Sequence, residues 1–332
     1  MGSFGITRRS AIAAGFTSFV ATRQAAAKDL TLLNVSYDPT RELYREIDPA
    51  FIALWQKQTR PGHQPIAWRV GGTIARGPGR SPGRCRDAGT RRRHNRGLLA
   101  KEWQKRLPDN ACPFTSTIVF LICKGNPKHI HDWSDLIRPG VNVITPNPKT
   151  SGGARRNFLA ALAWAERQPG ATAASAEAYI SHLFHHVPVL NTGARGATNR
   201  FVQRALGDVL LAWENEAWLA RKEFGADAFT IIYPSLSIQA EPPMAVVDSV
   251  VDRKGTRAAA TAYLQFHYTK EGQTIAGTNY YRPRNPAVAA QFAERYPALK
   301  MVTIHDFGGW DAAQAKYFAE GGMFDRIFVP GR

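Results

Sequence analysis

Short apolar runs alternate with longer helix-like stretches along this 332-residue chain, and this alternation constrains the fold more than any other sequence feature. Leu30–Val35 and residues 117–122 and 208–213 have the length and aliphatic content of buried strands. Strands that alternate with helices predict an α/β fold with doubly wound, mostly parallel sheets. We also predict strands at residues 141–144, 187–190 and 245–251, and helices at residues 40–55, 154–167, 197–205, 257–268 and 287–296.

Two glycine-containing loops each join a predicted strand to a predicted helix. They read Pro146-Asn-Pro-Lys-Thr-Ser151-Gly152-Gly153-Ala154 and Asn191-Thr-Gly193-Ala194-Arg195-Gly196. Glycines let backbone N–H groups approach a ligand, and a helix N-terminus offers unsatisfied donors at the positive end of the helix dipole. Ligands of open α/β sheets lie beyond the carboxyl ends of the strands, so these loops predict an oxyanion site. Taken alone, Ser-Gly-Gly is also compatible with a plain capping turn.

The first 27 residues have the organisation of a cleaved export signal. Thr7-Arg8-Arg9-Ser10 precedes an apolar run over residues 11–20 that is too short to span a bilayer, and Ala25-Ala26-Ala27 provides small residues for cleavage. The adjacent arginines indicate the twin-arginine route, with the general secretory route left open. We expect a periplasmic protein whose mature chain starts near Lys28.

Much of the net charge of +17 comes from one segment. Residues 69–96 hold nine arginines and one acid, Asp87, while the remainder of the mature chain is only mildly basic. A nucleic-acid function inferred from the overall charge alone would therefore be misleading.

Several motifs resemble the periplasmic sulfate-binding proteins, in the same order along the chain. The similarity covers residues 28–66 and 97–328. The motifs are Asn34-Val-Ser-Tyr-Asp38-Pro-Thr-Arg41-Glu-Leu-Tyr44, Arg106-Leu-Pro-Asp-Asn110, Val143-Ile-Thr-Pro-Asn-Pro-Lys149, Ser151-Gly-Gly-Ala-Arg155, Gly193-Ala-Arg-Gly196, Ala212-Trp-Glu-Asn-Glu216, Tyr280-Tyr-Arg-Pro-Arg284 and Phe307-Gly-Gly-Trp310. One smaller departure is Arg156, which stands where the family usually has tryptophan.

The resemblance implies a two-lobed, type II-like periplasmic binding protein with the ligand cleft between the lobes. It assigns residues 28–115 and about 212–265 to lobe 1, residues 116–211 to lobe 2, and residues 266–332 to C-terminal helices that pack on the lobes. It also implies a monomer that delivers sulfate to the membrane permease of an ABC importer, with no cofactor and no enzymatic reaction.

The family's ligand is a dehydrated sulfate bound by neutral donors. Carried over by position, these donors are the backbone N–H groups of Asp38, Gly152, Gly153 and Ala194, the hydroxyl of Ser151 and the indole N–H of Trp213. Such donors suit a dianion that has no proton to give, whereas hydrogen phosphate would also need an acceptor. For Trp213 the alternative is a packing role.

The resemblance stops between Ile66 and Leu98. Family members carry Ser-His-Gly-Gly-Ser-Gly followed by a buried apolar strand, whereas this chain reads Ile66-Ala-Trp-Arg-Val70-Gly71 and then an Arg/Gly/Pro-rich run. Codons for the family hexapeptide, read one base early, permit all six of these residues. Our hypothesis is a frameshift near residue 66 with the normal frame restored near Arg96. Val70 and Gly71 then mark a degraded anion loop.

Three consequences follow from that hypothesis. The arginine content of residues 67–96 predicts a solvated or disordered segment that cannot be a core strand. The first lobe then lacks a central strand and one anion-binding loop, so we expect it to fold poorly. We also expect this exact chain to bind sulfate weakly or not at all.

Several alternatives stay open from the sequence alone. The anion could be thiosulfate, molybdate or phosphate in place of sulfate, and residues 69–96 could be a true nucleic-acid-binding insert, although they lack interleaved aromatic residues apart from Trp68. The histidines at 129, 131, 182, 185 and 186 have no accompanying metal-ligand pattern, so we predict surface roles. Among the three cysteines, a Cys112–Cys123 disulfide competes with the favoured interpretation of unpaired thiols.

Overall fold

The computed structural model describes residues 30–36, 40–58, 66–71 and 99–328. The predicted export signal, Asp38, Cys85 and most of the arginine-rich segment lie outside these residues. The strands are β1 Leu30–Val35, β2 Ile66–Gly71, β3 Phe114–Thr115, β4 Ile118–Cys123, β5 Val143–Pro146, β6 Leu190–Asn191, β7 Val209–Trp213, β8 Phe229–Ile232, β9 Ser237–Ile238, β10 Arg282–Pro283 and β11 Met301–Val302.

Helices cover most of the remaining described chain. They are α1 Arg41–Gln58, the one-turn α2 Pro108–Ala111, α3 Gly152–Glu166, α4 Ala173–His185, α5 Ala194–Arg204, α6 Glu214–Phe224, α7 Asp248–Lys254, α8 Arg257–Phe266, α9 Lys270–Thr278, α10 Pro286–Ala289, α11 Gly309–Ala313 and α12 Met323–Ile327. Short 3₁₀ segments lie at Trp103–Arg106, Trp133–Ile137, Ala290–Phe292 and Ile304–Phe307, and a π-helical turn at Gln314–Phe318.

A five-stranded sheet with the order β6-β5-β7-β4-β8 organises the larger part of the molecule. The β5 strand pairs in parallel with β6 and β7, and β4 is antiparallel to both of its neighbours. Four strands therefore share one direction, and the sheet is mixed, with two parallel and two antiparallel pairings. The predicted α/β class is confirmed, whereas the pairing is less parallel than predicted.

Both faces of this sheet are covered by buried apolar side chains. In β4, Ile118, Phe120 and Ile122 belong to one hydrophobic core, while Val119 and Leu121 belong to another. Alternate residues of a strand point to opposite faces, so a strand that is apolar throughout must be buried on both sides. Helices α3 and α4 lie on the first face, and α5 and α6 lie on the second.

A further core is built by β1, α1 and the segments that follow β9 along the chain. Its members are Leu32, Leu43, Tyr44, Ile47, Phe51, Phe114, Met244, Ala259, Tyr263, Phe266, Ala276 and Tyr281. The chain crosses between this core and the sheet cores near Ser116 and near Ala240, where the two crossings pair as an antiparallel bridge. Apolar residues between 213 and 240 pack with the sheet cores. The division into lobes stays a prediction.

Two sequence predictions are wrong in kind, and two others are too long: the strand predicted at residues 187–190 overlaps β6 only at Leu190, and the helix predicted at residues 287–296 ends after the 3₁₀ turn at Ala290–Phe292. Residues 245–251 do not form a strand, because α7 begins at Asp248, carries Arg253 and Lys254 in its last turn and ends at Gly255 in the left-handed conformation. These charge and cap signals outweigh the strand propensity of the local valines.

The second correction concerns the anomalous segment. Residues 66–71 form β2, which pairs in parallel with β1, so the expectation of a solvated or disordered segment is wrong for the backbone of residues 67–71. Ile66, Trp68 and Val70 have high strand propensity at alternate positions, and β1 provides a complementary edge. Val70 and Gly71, predicted as the remnant of a loop, are therefore strand residues opposite Asn34 and Val35.

An apolar cavity of about 270 Å³ lies beside β1. It is bounded on one side by β1 and on the other by residues 242–247. Two large side chains of β1, Leu33 and Val35, line this cavity and are 58% and 43% exposed. Among the described strands, β1 pairs with β2 alone.

Candidate functional site

The loop after β5 is folded so that Ser151 caps α3. Asn147 accepts hydrogen bonds at its backbone oxygen from the N–H groups of Thr150 and Ser151, at 3.0 and 2.9 Å. The Ser151 hydroxyl, which is largely buried, accepts from the N–H of Ala154 at 3.4 Å. Because the hydroxyl oxygen serves as the cap, its own proton can be donated to a ligand. The same turn places Gly152 and Gly153 as the first two residues of the helix.

The second loop lies directly beside the first. Strand pairing aligns Pro146 with Asn191, and the N–H of Asn147 donates to the Asn191 backbone oxygen at 2.7 Å. The Thr150 hydroxyl donates to the backbone oxygen of Thr192 at 2.9 Å. Gly193 then occupies the N-cap of α5 and offers no side-chain cap, so Ala194 begins the helix with its backbone donors available.

Trp213 completes the arrangement from the other neighbour of β5. It is the last residue of β7 and is 2% exposed. A Cβ atom added at Gly153 would lie 3.0 Å from the indole Nε1 of Trp213 and 3.7 Å from the Ser151 hydroxyl. The absence of a side chain at Gly153 therefore lets the indole N–H, the hydroxyl and the helix N-terminus converge.

A small recess at the ends of β5, β6 and β7 is lined by part of this set, with Ser151 and Gly152 not among its lining residues. Its walls include Gly153, Ala194 and Trp213, three of the residues predicted to bind the anion. The donors come from three adjacent strands, so the sheet itself fixes their spacing. The arrangement suits an anion that accepts several hydrogen bonds from neutral groups.

Comparison with known proteins gives the family. Residues 92–282 match the family model described as "Bacterial extracellular solute-binding protein". The chain belongs to the bacterial extracellular solute-binding proteins. It is 51% identical over 321 residues to the sulfate-binding protein of Escherichia coli K12, covering 94% of this chain and 97% of that protein.

Other relatives of this solute-binding protein differ in the anion that their names give. The chain is 44% identical over 308 residues to a thiosulfate-binding protein of Pseudomonas aeruginosa, covering 90% of this chain and 92% of the other. Among solved structures, the sulfate-binding protein SubI of Mycobacterium tuberculosis aligns with a TM-score of 0.73 and 33% identity, covering 86% and 98% of the two chains. These matches confirm the predicted family and the periplasmic-binding-protein fold.

The sequence analysis did not anticipate a buried carboxylate in the recess. Glu216, 3% exposed, lines the recess and forms an ion pair with Arg41, whose Nη1 lies 3.0 Å from Oε1. Both residues stand in motifs quoted for the family, but a pairing across 175 positions has no local sequence signal. Because Arg41 is the first residue of α1 and pairs with Glu216, the start of α1 lies next to the recess.

Asn157, one turn into α3, is a second side chain that the sequence analysis missed. Its Nδ2 donates to the Thr145 hydroxyl at 2.9 Å and to the Leu211 backbone oxygen at 3.0 Å. These bonds tie α3 to β5 and β7, so they hold the helix N-terminus against the strand ends. Asn157 also lines the recess.

The remaining predicted residues have simpler outcomes. Two histidines bond to backbone carbonyl groups, His185 to that of Ser181 at 2.6 Å and His186 to that of Val141 at 2.7 Å. Across the described residues there is no group of three or more metal-binding side chains, and no helix is long and apolar enough to cross a membrane. Cys112 and Cys123 form no disulfide with each other.

Proposed function

We propose that this chain captures sulfate at the recess formed by the ends of β5, β6 and β7. The observation that carries the proposal is the convergence of the Trp213 indole N–H, the Ser151 hydroxyl and the start of α3 around Gly153, with the start of α5 adjacent. The names of the E. coli and M. tuberculosis relatives support sulfate as the ligand.

The donor set we propose is neutral throughout. It comprises the backbone N–H groups of Asp38, Gly152, Gly153 and Ala194, together with the side chains of Ser151 and Trp213. A dianion removed from water needs all its oxygens satisfied, and donors fixed on helix starts satisfy them without rearranging. Each helix dipole adds roughly 0.3–1 kcal/mol of favourable interaction at an exposed site, and more in a buried one.

Thiosulfate is the second candidate ligand. The Pseudomonas relative is named for it, and thiosulfate is nearly isosteric with sulfate. A competition titration with sulfate, thiosulfate, molybdate and phosphate ranks these anions in one assay. We expect sulfate and thiosulfate to compete strongly. Phosphate should compete weakly, because the proposed donors offer no acceptor for its O–H and the Glu216 carboxylate in the recess is already paired with Arg41.

We also propose that residues 67–96 are the product of a frameshift and that they impair this chain. The apolar cavity beside β1 and the exposure of Leu33 and Val35 support the idea that a buried element is missing there. Resequencing the gene and peptide mapping of the purified protein test the frameshift directly. An intact single frame together with the same residues in the peptide map would refute it.

Export and delivery complete the proposed role. We propose that residues 1–27 direct the chain through the twin-arginine route to the periplasm, where it acts as a monomer and delivers its anion to an ABC permease without chemical conversion. Replacing Arg8 and Arg9 by lysine should abolish export by that route, while N-terminal sequencing of the exported protein should begin near Lys28. Export that is unaffected by the double replacement would assign the chain to the general secretory route.

Calorimetric titration of the mature chain with sulfate is the central experiment. A second chain, with the proposed normal frame restored between residues 66 and 96, provides the comparison. We expect the restored chain to bind one sulfate and the original chain to bind at least about a hundredfold more weakly, because it lacks charge-assisted donors worth roughly 1.5–3 kcal/mol each. Tight, saturable binding by the original chain would refute the impairment, and no binding by either chain would refute sulfate capture.

The role of Trp213 is tested by Trp213→Phe in the same titration. Trp164→Phe is the matched control, because Trp164 lies near the opposite end of α3, about 18 Å from Gly152 at the helical rise per residue. We expect only the replacement at 213 to weaken binding.

A further inference from the structure

Arg156 is a fully buried cation next to the proposed anion site. It lies in the second turn of α3 and is 1% exposed. Its guanidinium carbon lies 5.0 Å from the ring centroid of Trp213 and 4.9 Å from that of Trp310. The guanidinium therefore contacts two indoles, one of which carries a proposed anion donor.

A hydrogen bond fixes the guanidinium from a third direction. Its Nη2 donates to the backbone oxygen of Glu241 at 2.8 Å. Glu241 directly follows Ala240, at the crossing between the sheet cores and the core around α1. Trp310 comes from the C-terminal Phe-Gly-Gly-Trp motif, so Arg156 joins α3, the end of β7, the crossing and the C-terminal segment.

We propose that Arg156 is the positioning residue for Trp213. A guanidinium is planar and stacks on aromatic rings, and its attraction to an indole is strongest where water is excluded. The guanidinium of Arg156 packs on the ring of Trp213. The Nε1 of the same ring lies next to Gly153, where the absence of a side chain leaves room for it. The two contacts together fix the direction of the indole N–H. This inference rests on the proposed anion site and adds a residue that touches no ligand itself.

The departure from the family pattern is informative for the same reason. The family resemblance implies tryptophan where this chain has Arg156, and both side chains present a flat surface. Arginine keeps that surface against Trp213 and adds the donor that reaches Glu241. A flat surface is thus the requirement we infer for this position, and the positive charge alone does not meet it.

Three replacements separate shape from charge. Arg156→Met removes both, Arg156→Lys keeps the charge and removes the flat surface, and Arg156→Trp restores the residue type of the family. In sulfate titrations of the frame-restored chain we expect the methionine and lysine variants to bind up to about tenfold more weakly, since both lose the flat group that stacks on the indole and stacking corresponds to up to about that factor. The tryptophan variant should stay within about threefold of the parent chain. Lysine that binds like the parent, or tryptophan that binds like methionine, overturns the inference.

A double-mutant cycle tests whether Arg156 acts through Trp213. In the Trp213→Phe background, Arg156→Met should weaken sulfate binding no further, whereas an equal loss in both backgrounds overturns the positioning role. If Trp213→Phe alone leaves sulfate binding unchanged, it is the proposed function of Trp213 that fails, which is a separate result.

The same cycle can be measured without any ligand. Urea unfolding of the parent, the two single variants and the double variant should show a coupling of about fivefold in the unfolding constant between positions 156 and 213. Arg155→Met is the matched control, because Arg155 is also buried in α3, at 6% exposed, but packs on Phe318 at 5.2 Å. We expect no coupling between positions 155 and 213. Additive effects of the replacements at 156 and 213 overturn the inference even in a chain that binds no sulfate.

Discussion

Lowering the pH from 7 to 5 should destabilise this protein through one buried histidine. His267 is fully buried and packs edge-on against the rings of Tyr44 and Tyr263, at centroid distances of 5.8 and 5.0 Å. Neither of its ring nitrogens has a hydrogen-bond partner among the described residues. Burial without a partner disfavours the charged form and lowers the pKa of His267 to about 3.

The sign of the effect follows from proton binding in the two states. The unfolded chain titrates this histidine near pH 6.5, and the folded chain does so only near pH 3, so the unfolded state binds the extra proton between these values. Stability is therefore constant above about pH 6.5 and falls as the pH drops below it. At pH 5 the loss is about 2 kcal/mol, and at pH 3 it is about 4 kcal/mol.

Urea unfolding followed by tryptophan fluorescence measures this loss directly. The parent chain and His267→Leu are compared at pH 7 and pH 5, with His182→Gln as a control at an exposed histidine of α4. We expect the difference in unfolding free energy between the two pH values to shrink by about 2 kcal/mol in His267→Leu and to stay unchanged in the control. Parallel pH dependence in the parent and His267→Leu would show that the buried imidazole is not the cause.

Three other replacements test the site and its support. Gly153→Ala would place a methyl group 3.0 Å from the indole nitrogen of Trp213. Sulfate affinity in calorimetric titration should therefore fall by about tenfold or more, while the free energy of unfolding should fall by under about 2 kcal/mol. Unchanged affinity would contradict the convergence of donors. Ser151→Ala and Thr172→Ala each remove a helix cap and should each cost about 1 kcal/mol in urea unfolding, but only the first should weaken sulfate binding. Glu214→Ala should lower the free energy of unfolding by about 3–5 kcal/mol, because it removes the fully buried carboxylate that accepts two hydrogen bonds from Arg282. A loss under about 1 kcal/mol would contradict this.

The sequence was sufficient for the elements that a local pattern determines. Leu30–Val35 and the strand at Ile118–Cys123 follow from aliphatic runs, and the two glycine loops follow from capping chemistry at the starts of α3 and α5. These features depend on neighbours within a few residues, so a single sequence contains them.

Features that depend on distant partners could not be predicted in this way. The pairing of Arg41 with Glu216 and the contact of Arg156 with Trp213 join residues far apart in the chain. Residues 66–71 were misjudged because their charge-rich sequence context was weighed above the strand edge that β1 offers them. Tertiary pairing outweighed composition at that position.

Among the described strands β1 pairs with β2 alone, and this has a consequence for the amount of protein in the cell. A strand that shows Leu33 and Val35 to solvent beside an apolar cavity offers a template for pairing with other chains. Folding chaperones and quality-control proteases act on such surfaces, and a stability deficit of 1–2 kcal/mol changes abundance several-fold. The first visible phenotype of this chain should therefore be a low steady-state level after export, detectable by immunoblot before any difference in anion uptake per molecule.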